Sequence, residues 1–128
     1  GYVEYAYAKQ NKMAFAKMTN KDGKVVEPDD KTFQAAAANA DWVGSKGYYV
    51  VLTDQAGAES WPITGASFIL MYKQPQDAAA SQTALKFFAW AYKKGGKLAE
   101  DLDYVPMPAN VITQVEKTWA TSIKAATN

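Results

Sequence analysis

The amino-acid sequence predicts an α/β fold, and three of its features carry that prediction. Short β-prone segments with turn signals lie in the first half of the chain, and two long segments with helical spacing lie in the second. Between them, residues 61–73 read WPITGASFILMYK, in which the uncharged run over residues 67–72 is typical of a buried strand. The chain has 128 residues, 48% of them hydrophobic, so it is long enough to form a core.

The first half of the chain is predicted to begin with a small β-ribbon. Alternating aromatic residues favour a strand over residues 2–7, and residues 13–18 are predicted to form a second, shorter strand. An Asp-Gly turn at Gly23 then leads to Val25 and Val26, which would close the ribbon.

A helix is predicted to follow the ribbon, over residues 30–39. Asp29 or Asp30 can cap its N-terminus, and an alanine run supplies the residue with the best helix propensity. Residues 48–52 are β-prone but short, and residues 53–60 form a polar loop before the apolar segment.

The second half of the chain contains the stronger helical signals. Apolar spacing predicts a helix over residues 78–94, which the glycine pair 95–96 ends, and a last helix over residues 109–124. A short helix is predicted over residues 97–102 between them.

The predicted strand in residues 61–73 has no partner strand in this half of the sequence. One strand cannot form a sheet, because the N–H and C=O groups along both of its edges would be buried without hydrogen bonds. The chain also starts with Gly1 inside an aromatic, strand-like pattern. Both observations lead us to expect that it is a piece of a longer protein.

Composition excludes several classes of function. The net charge of +1 argues against nucleic-acid binding, which requires a basic face. The chain has no cysteine and no histidine, so disulfides, thiolate chemistry, serine triads and most zinc sites are excluded. We therefore expect a protein that is not an enzyme and needs no cofactor.

A few side-chain clusters could still carry a function. The acidic group Glu100, Asp101 and Asp103 lacks the glycine-containing loop of a calcium site, so a solvated helix end is the favoured interpretation. Trp42 and Trp61 are predicted to lie in loops and are the candidates for a surface or cleft role. Three further aromatic residues are assigned to the core: Phe87, Phe88 and Trp119. Three lysines cluster at a helix end, where the helix dipole favours cations: Lys93, Lys94 and Lys97.

Four runs of the chain share one pattern with a known family. They are GYVEYAYAKQNKMAF, KTFQAAAANADW, WPITGASFILMYK and LKFFAWAYKKGGKLAEDLDYVPMP, which begin at residues 1, 31, 61 and 85. In this order they resemble the C-terminal portion of the bacterial periplasmic phosphate-binding proteins, the substrate-binding components of the phosphate ABC transporter. The resemblance extends over nearly all of the chain.

The resemblance implies a fold and a cellular role. Proteins of this family have two lobes, here of the type II-like, three-layer αβα kind, with phosphate buried between them. Residues 1–60 would be the C-terminal part of the second lobe, and residues 61–128 would be the segment that returns to complete the first. The implied location is the periplasm, and the implied partners are inorganic phosphate and the membrane permease of the ABC transporter.

The resemblance assigns no ligand contact to this chain. The family binds phosphate through helix N-termini, hydroxyl groups, an aspartate and an arginine, and its arginine-containing motif lies upstream of the stretch matched here. The chain has no arginine. The resemblance instead implies that this chain contributes a hinge at the crossover between the lobes. There Pro62 would restrict one backbone dihedral angle and Gly65 would leave another free. The hinge candidates are Trp61, Pro62, Ile63, Thr64 and Gly65.

Other interpretations remain open at the level of sequence. An ordinary loop-to-strand entry would explain the same hinge residues. The aromatic residues would also suit a self-sufficient carbohydrate-binding module that uses Trp42 or Trp61, and a carboxylate-based phosphatase would use Glu100 or Asp101. If the chain exists alone, we expect it to cover the edge of its unpaired strand by pairing with a second copy.

Overall fold

A computed structural model describes residues 1–124, and it combines five helices with one two-stranded ribbon in this range. None of the helices in the described range is both long enough and apolar enough to cross a membrane. The mixed helix and strand content agrees with the predicted α/β class. The elements are α1 (Tyr5–Gln10), β1 (Met18–Thr19), β2 (Val25–Val26), α2 (Asp30–Asn39), α3 (Ala78–Lys94), α4 (Gly96–Asp101) and α5 (Ala109–Ser122).

The beginning of the chain is helical, so the strand predicted over residues 2–7 is wrong. The helical turn buries Ala6 and Ala8 and places the Tyr5 ring 5.2 Å from the ring of Phe33, measured between centroids. Alanine has high helix propensity, and this aromatic contact needs only one of the alternating tyrosines. The period-two pattern that suggested a strand therefore has no structural role here.

The ribbon is present but shorter than predicted. β1 covers only the end of the predicted strand over residues 13–18, and it pairs antiparallel with β2 with Met18 opposite Val26. Gly23 has a φ of 73° in the connecting turn, a left-handed conformation that glycine adopts without strain. The turn and the closing valines are thus confirmed, whereas residues 13–17 form no strand.

The helix predicted over residues 30–39 is confirmed as α2. Asp29 caps it: its carboxylate accepts the N–H of Thr32 at 2.8 Å, and the Thr32 hydroxyl accepts the N–H of Asp29 at 3.0 Å. This reciprocal capping box satisfies two backbone donors that a helix N-terminus leaves without partners.

The predicted helices of the second half are also present, as α3, α4 and α5. Asp77 caps the start of α3 by accepting the N–H of Ala80 at 2.9 Å, and α3 ends before Gly95, as the glycine pair predicted. It packs against α5 through the Tyr92 and Trp119 rings, which stack with centroids 5.8 Å apart. α5 ends at Ser122, slightly before the predicted end.

The main core joins the two halves of the sequence. Trp42 and Leu52 from the first half pack with Val111 of α5, and Ala37 of α2 completes the buried cluster. A smaller cluster contains Leu85 and Ile123. The β-prone stretch over residues 48–52 supplies residues to the main cluster but forms no strand, and its first residue belongs to a short 3₁₀ turn over Lys46–Tyr48.

Candidate functional site

The candidate site is the segment over residues 61–73, and its first part is firmly held. The backbone N–H of Trp61 donates to the carbonyl oxygen of Thr32 at 2.9 Å, and the carbonyl of Pro62 accepts from the N–H of Asp54 at 2.9 Å. Ile63 forms an isolated antiparallel bridge with Thr53. This part is therefore attached both to α2 and to the loop that precedes the segment.

Trp61 is buried rather than exposed, with only 5% of its surface accessible. Its ring lies 6.2 Å from the ring of Phe33, between centroids, in an edge-on arrangement. Thr64 is also buried, and its hydroxyl donates to the carbonyl oxygen of Trp61 at 3.0 Å. These contacts close residues 61–64 into a local turn.

The backbone hydrogen bonds of the first part of this segment stop before Gly65. Within the described residues, positions 66–72 form no backbone hydrogen bond, and Gly65 itself is exposed. A Cβ atom added at Gly65 would meet no atom within 4 Å, so the glycine is not required by close packing. The structure thus brings the five hinge candidates together as one turn, and Gly65 lies between a part held by backbone hydrogen bonds and a part that forms none among residues 1–124.

The apolar run that follows has no regular secondary structure, so it is not the buried strand that the sequence predicted. Leu70 is 92% exposed, and Phe68, Ile69 and Tyr72 are exposed as well. No strand lies beside the run within residues 1–124, so no sheet can form around it. The physical reason is that a strand with two apolar faces can be buried only when neighbouring strands and covering layers are present.

One side of this run borders an apolar cavity of about 180 Å³. Phe68 contributes a ring whose centroid lies 6.3 Å from that of Trp42, and Val111, Val115 and Trp119 from α5 line the opposite wall. The polar groups at its edge are already paired, since the Tyr48 hydroxyl lies 2.6 Å from that of Thr118. The cavity is suited to apolar side chains rather than to an anion.

The aromatic residues assigned to a cleft do not form one. Trp42 is 4% exposed, and its indole N–H donates to the carbonyl oxygen of Ala37 at 2.7 Å. Trp61 is buried against Phe33, as described above. Carbohydrate-binding modules need accessible rings, so the expectation that either tryptophan has a surface or cleft role is wrong.

The acidic group also forms no site. The Asp103 carboxylate lies 2.7 Å from the Lys9 ammonium, and Asp101 pairs with Lys97. The hydrogen bond that each lysine ammonium donates to its carboxylate raises the pKa of that lysine. Among residues 1–124, no cluster of three or more acidic side chains could hold a metal ion.

One residue that stabilises the site was missed by the sequence reasoning. Asn20 is buried, and its amide N–H₂ donates to the carbonyl oxygens of Ala58 at 2.9 Å and Ser60 at 3.3 Å, next to Trp61. Its side-chain oxygen accepts the N–H of Lys24 at 2.9 Å. An asparagine in a turn is too common to signal such a role.

The comparisons with known proteins show what this chain is similar to. No family model matches the chain. The curated proteins to which the chain is similar include several that are named phosphate-binding proteins. Among curated relatives, it is 47% identical over 126 residues to the phosphate-binding protein PstS of Pasteurella multocida, a match that covers 98% of this chain and 37% of the relative.

Two further relatives carry the same name. The PstS protein of Xylella fastidiosa strain 9a5c is 47% identical over 124 residues, covering 97% of this chain and 34% of the relative. That of Haemophilus influenzae is 45% identical over 124 residues, covering 97% of this chain and 37% of the relative. The resemblance to phosphate-binding proteins is therefore confirmed over nearly the whole chain, which spans about a third of the length of these relatives.

Proposed function

We propose that this chain is a structural part of a two-lobed, periplasmic phosphate receptor that delivers inorganic phosphate to the permease of an ABC importer. The names of its relatives support phosphate as the ligand. In this proposal the complete protein has type II-like, three-layer αβα lobes. Residues 1–60 form the C-terminal part of the second lobe, and residues 61–128 return to complete the first.

The proposed contribution of the chain is mechanical. Its 14 basic residues are all lysine, and the cavity described above is apolar, so neither offers the convergent donors that a dehydrated phosphate requires. The exposed run over residues 67–72 would become an inner strand once the remaining polypeptide supplies neighbouring strands. We propose no catalytic activity, because a receptor needs none.

The observation that carries the hinge proposal is the change at Gly65. Residues 61–64 are held by hydrogen bonds to α2 and to Asp54, whereas the backbone of residues 66–72 forms none with any residue that the structure describes. A hinge works when a few residues absorb the change in dihedral angle between two held bodies. Gly65 lies at that boundary and has the backbone freedom to do so.

Phosphate titration tests the assignment of roles. The 128-residue chain should show no tight phosphate binding by isothermal titration calorimetry, whereas the longer polypeptide that contains it should bind. Tight binding by the chain alone would overturn the purely mechanical role. Absence of binding by the longer polypeptide would overturn the receptor assignment itself.

The hinge is tested by Gly65→Ala in the longer polypeptide. The new Cβ meets no neighbour, so the substitution restricts the backbone without creating a clash. We expect a changed rate of lobe closure on phosphate binding, followed by stopped-flow fluorescence and small-angle scattering. Gly96→Ala is the matched control, since a Cβ there makes only ordinary contacts with Pro106. Equal effects of the two substitutions, or none from Gly65→Ala, would contradict the hinge.

A further inference from the structure

One face of α3 carries aromatic rings and lysines side by side. An α-helix turns by about 100° per residue, so five side chains of α3 fall within an arc of about 120°. We call this arc the aromatic–lysine face. Its members are Lys86, Phe87, Trp90, Lys93 and Lys94.

The two rings of this face are accessible and aligned. Phe87 is 58% exposed and Trp90 is 49% exposed, although the sequence had assigned Phe87 to the core. Their centroids lie 5.9 Å apart, with 31° between the ring planes. Together they form a continuous aromatic surface.

The packing of α3 fixes the direction in which this face points. Leu85 and Tyr92 lie on the opposite side of the helix, where Leu85 packs with Ile123 and Tyr92 stacks on Trp119 of α5. The aromatic–lysine face cannot turn inward without breaking these contacts. Its exposure therefore follows from the way α3 is seated on α5.

The charge of the face is unbalanced. α3 contains no Asp or Glu, and the ion pairs found among residues 1–124 involve other lysines. The nearby Asp101 is engaged by Lys97. Three exposed ammonium groups thus surround the two rings without a compensating carboxylate on the helix.

We propose that the aromatic–lysine face docks a protein partner whose surface presents carboxylates around an apolar patch. Aromatic residues are enriched at the energetically dominant centres of protein interfaces, and complementary charge around them sets the encounter rate and the specificity. A membrane surface fits less well, because an interfacial helix places apolar and basic side chains on opposite faces. The proposal does not depend on the hinge or on phosphate binding.

A fluorescently labelled copolymer of glutamate and tyrosine is a suitable probe, because it offers both carboxylates and rings. Fluorescence anisotropy should show saturable binding to the chain. Both the triple substitution Lys86→Glu, Lys93→Glu, Lys94→Glu and the single substitution Trp90→Ala should weaken the affinity about tenfold or more. Circular dichroism checks that each variant folds.

The matched control makes the same change of charge, three Lys→Glu substitutions, on another part of the surface. Lys12, Lys21 and Lys24 are exposed near the β-ribbon, and their triple replacement by Glu should change the affinity less than about twofold. Equal weakening by both triple variants, or no saturable binding, would overturn the proposal. Binding to phosphatidylglycerol vesicles that is abolished by the same α3 substitutions would also overturn the proposal, because the face would then bind a membrane rather than a protein.

Accessibility in the longer polypeptide is the second requirement. Trp42 and Trp61 are buried and Trp119 is half-buried, so Trp90 should contribute most of the iodide quenching among these four tryptophans, and the neighbouring lysines should make iodide more effective than caesium. Trp90→Phe should remove this quenching in the longer polypeptide. If it removes none, other segments cover the face and the proposal fails.

Discussion

The amide nitrogen of Asn20 lies 2.9 Å from the carbonyl oxygen of Ala58, a residue 38 positions further along the chain. Further hydrogen bonds from the same side chain to Gly57 and Ser60 attach the ribbon turn to the loop that leads into Trp61. The held part of the proposed hinge therefore rests on a residue outside it.

Asn20→Ala should lower the free energy of unfolding by about 3 kcal/mol, since several buried backbone groups lose their partners at once. Urea unfolding followed by circular dichroism measures the change. Asn11→Ala is the control, because that side chain is exposed and makes one hydrogen bond, to the carbonyl of Tyr7. Equal losses for the two variants would contradict the anchoring role of Asn20.

Asp29→Ala should destabilise α2 and lower the free energy of unfolding by about 1 kcal/mol, because the capping box to Thr32 is lost. Asp29→Asn retains a side-chain acceptor and should recover most of the loss. Urea unfolding of both variants checks this. An Asn variant as unstable as the Ala variant would show that charge, rather than capping, stabilises this end of the helix.

Val111→Ala should lower the stability of the whole chain by about 2 kcal/mol, since Val111 is almost wholly buried between α5 and the Trp42 cluster. The exposed Val43 provides the control, with an expected change below about 0.5 kcal/mol. Tryptophan fluorescence and circular dichroism should report a single shared transition. Separate transitions would show that the two halves do not depend on a common core.

Tyr92→Phe should make the chain more resistant to alkali. Burial raises the pKa of Tyr92, with Glu116 adding to the effect, so the unfolded state loses this proton first as the pH rises above the ordinary tyrosine pKa of 10.0. The contribution of the protonated Tyr92 to stability is thus retained below that pH and lost above it. The Phe variant has no ionisable group at this position, so it does not lose stability in this way. Urea midpoints across this alkaline range test the difference, with Tyr2→Phe, at an exposed position, as the control.

The 128-residue chain by itself should self-associate through residues 67–72, because an exposed apolar run with free backbone groups pairs readily with a second copy. Leu70→Lys should shift the chain to monomer in sedimentation velocity. Leu98→Lys changes another exposed leucine, in α4, and should leave the association intact. A monomeric parent chain would contradict the prediction.

Much of the local structure could be predicted from sequence because its causes lie close together in the chain. The cap at Asp29, the alanine run of α2, the apolar spacing of α3 and the glycines after it act within one or two helical turns. The error over residues 2–7 arose within the same local range, where an aromatic alternation outweighed the helix propensity of alanine.

The candidate site could be predicted only in part, because its stabilising contacts join segments that lie far apart in the chain. The position of the hinge candidates was indicated by Pro62, Gly65 and a family resemblance, but the hydrogen bonds that hold residues 61–64 join distant segments. Trp42 was placed in a loop correctly, yet its burial depends on Val111, which lies far along the chain. No local pattern distinguishes a buried loop tryptophan from an exposed one.

The sequence by itself determined the mixed helix and strand content, the three later helices and the resemblance to phosphate-binding proteins. Only the tertiary structure decided that Trp42 and Trp61 are buried, that Asn20 stabilises the approach to the hinge, and that Phe87 and Trp90 face outward. The physical reason is range: capping and periodicity act between near neighbours, whereas burial depends on which distant segments fold against a side chain.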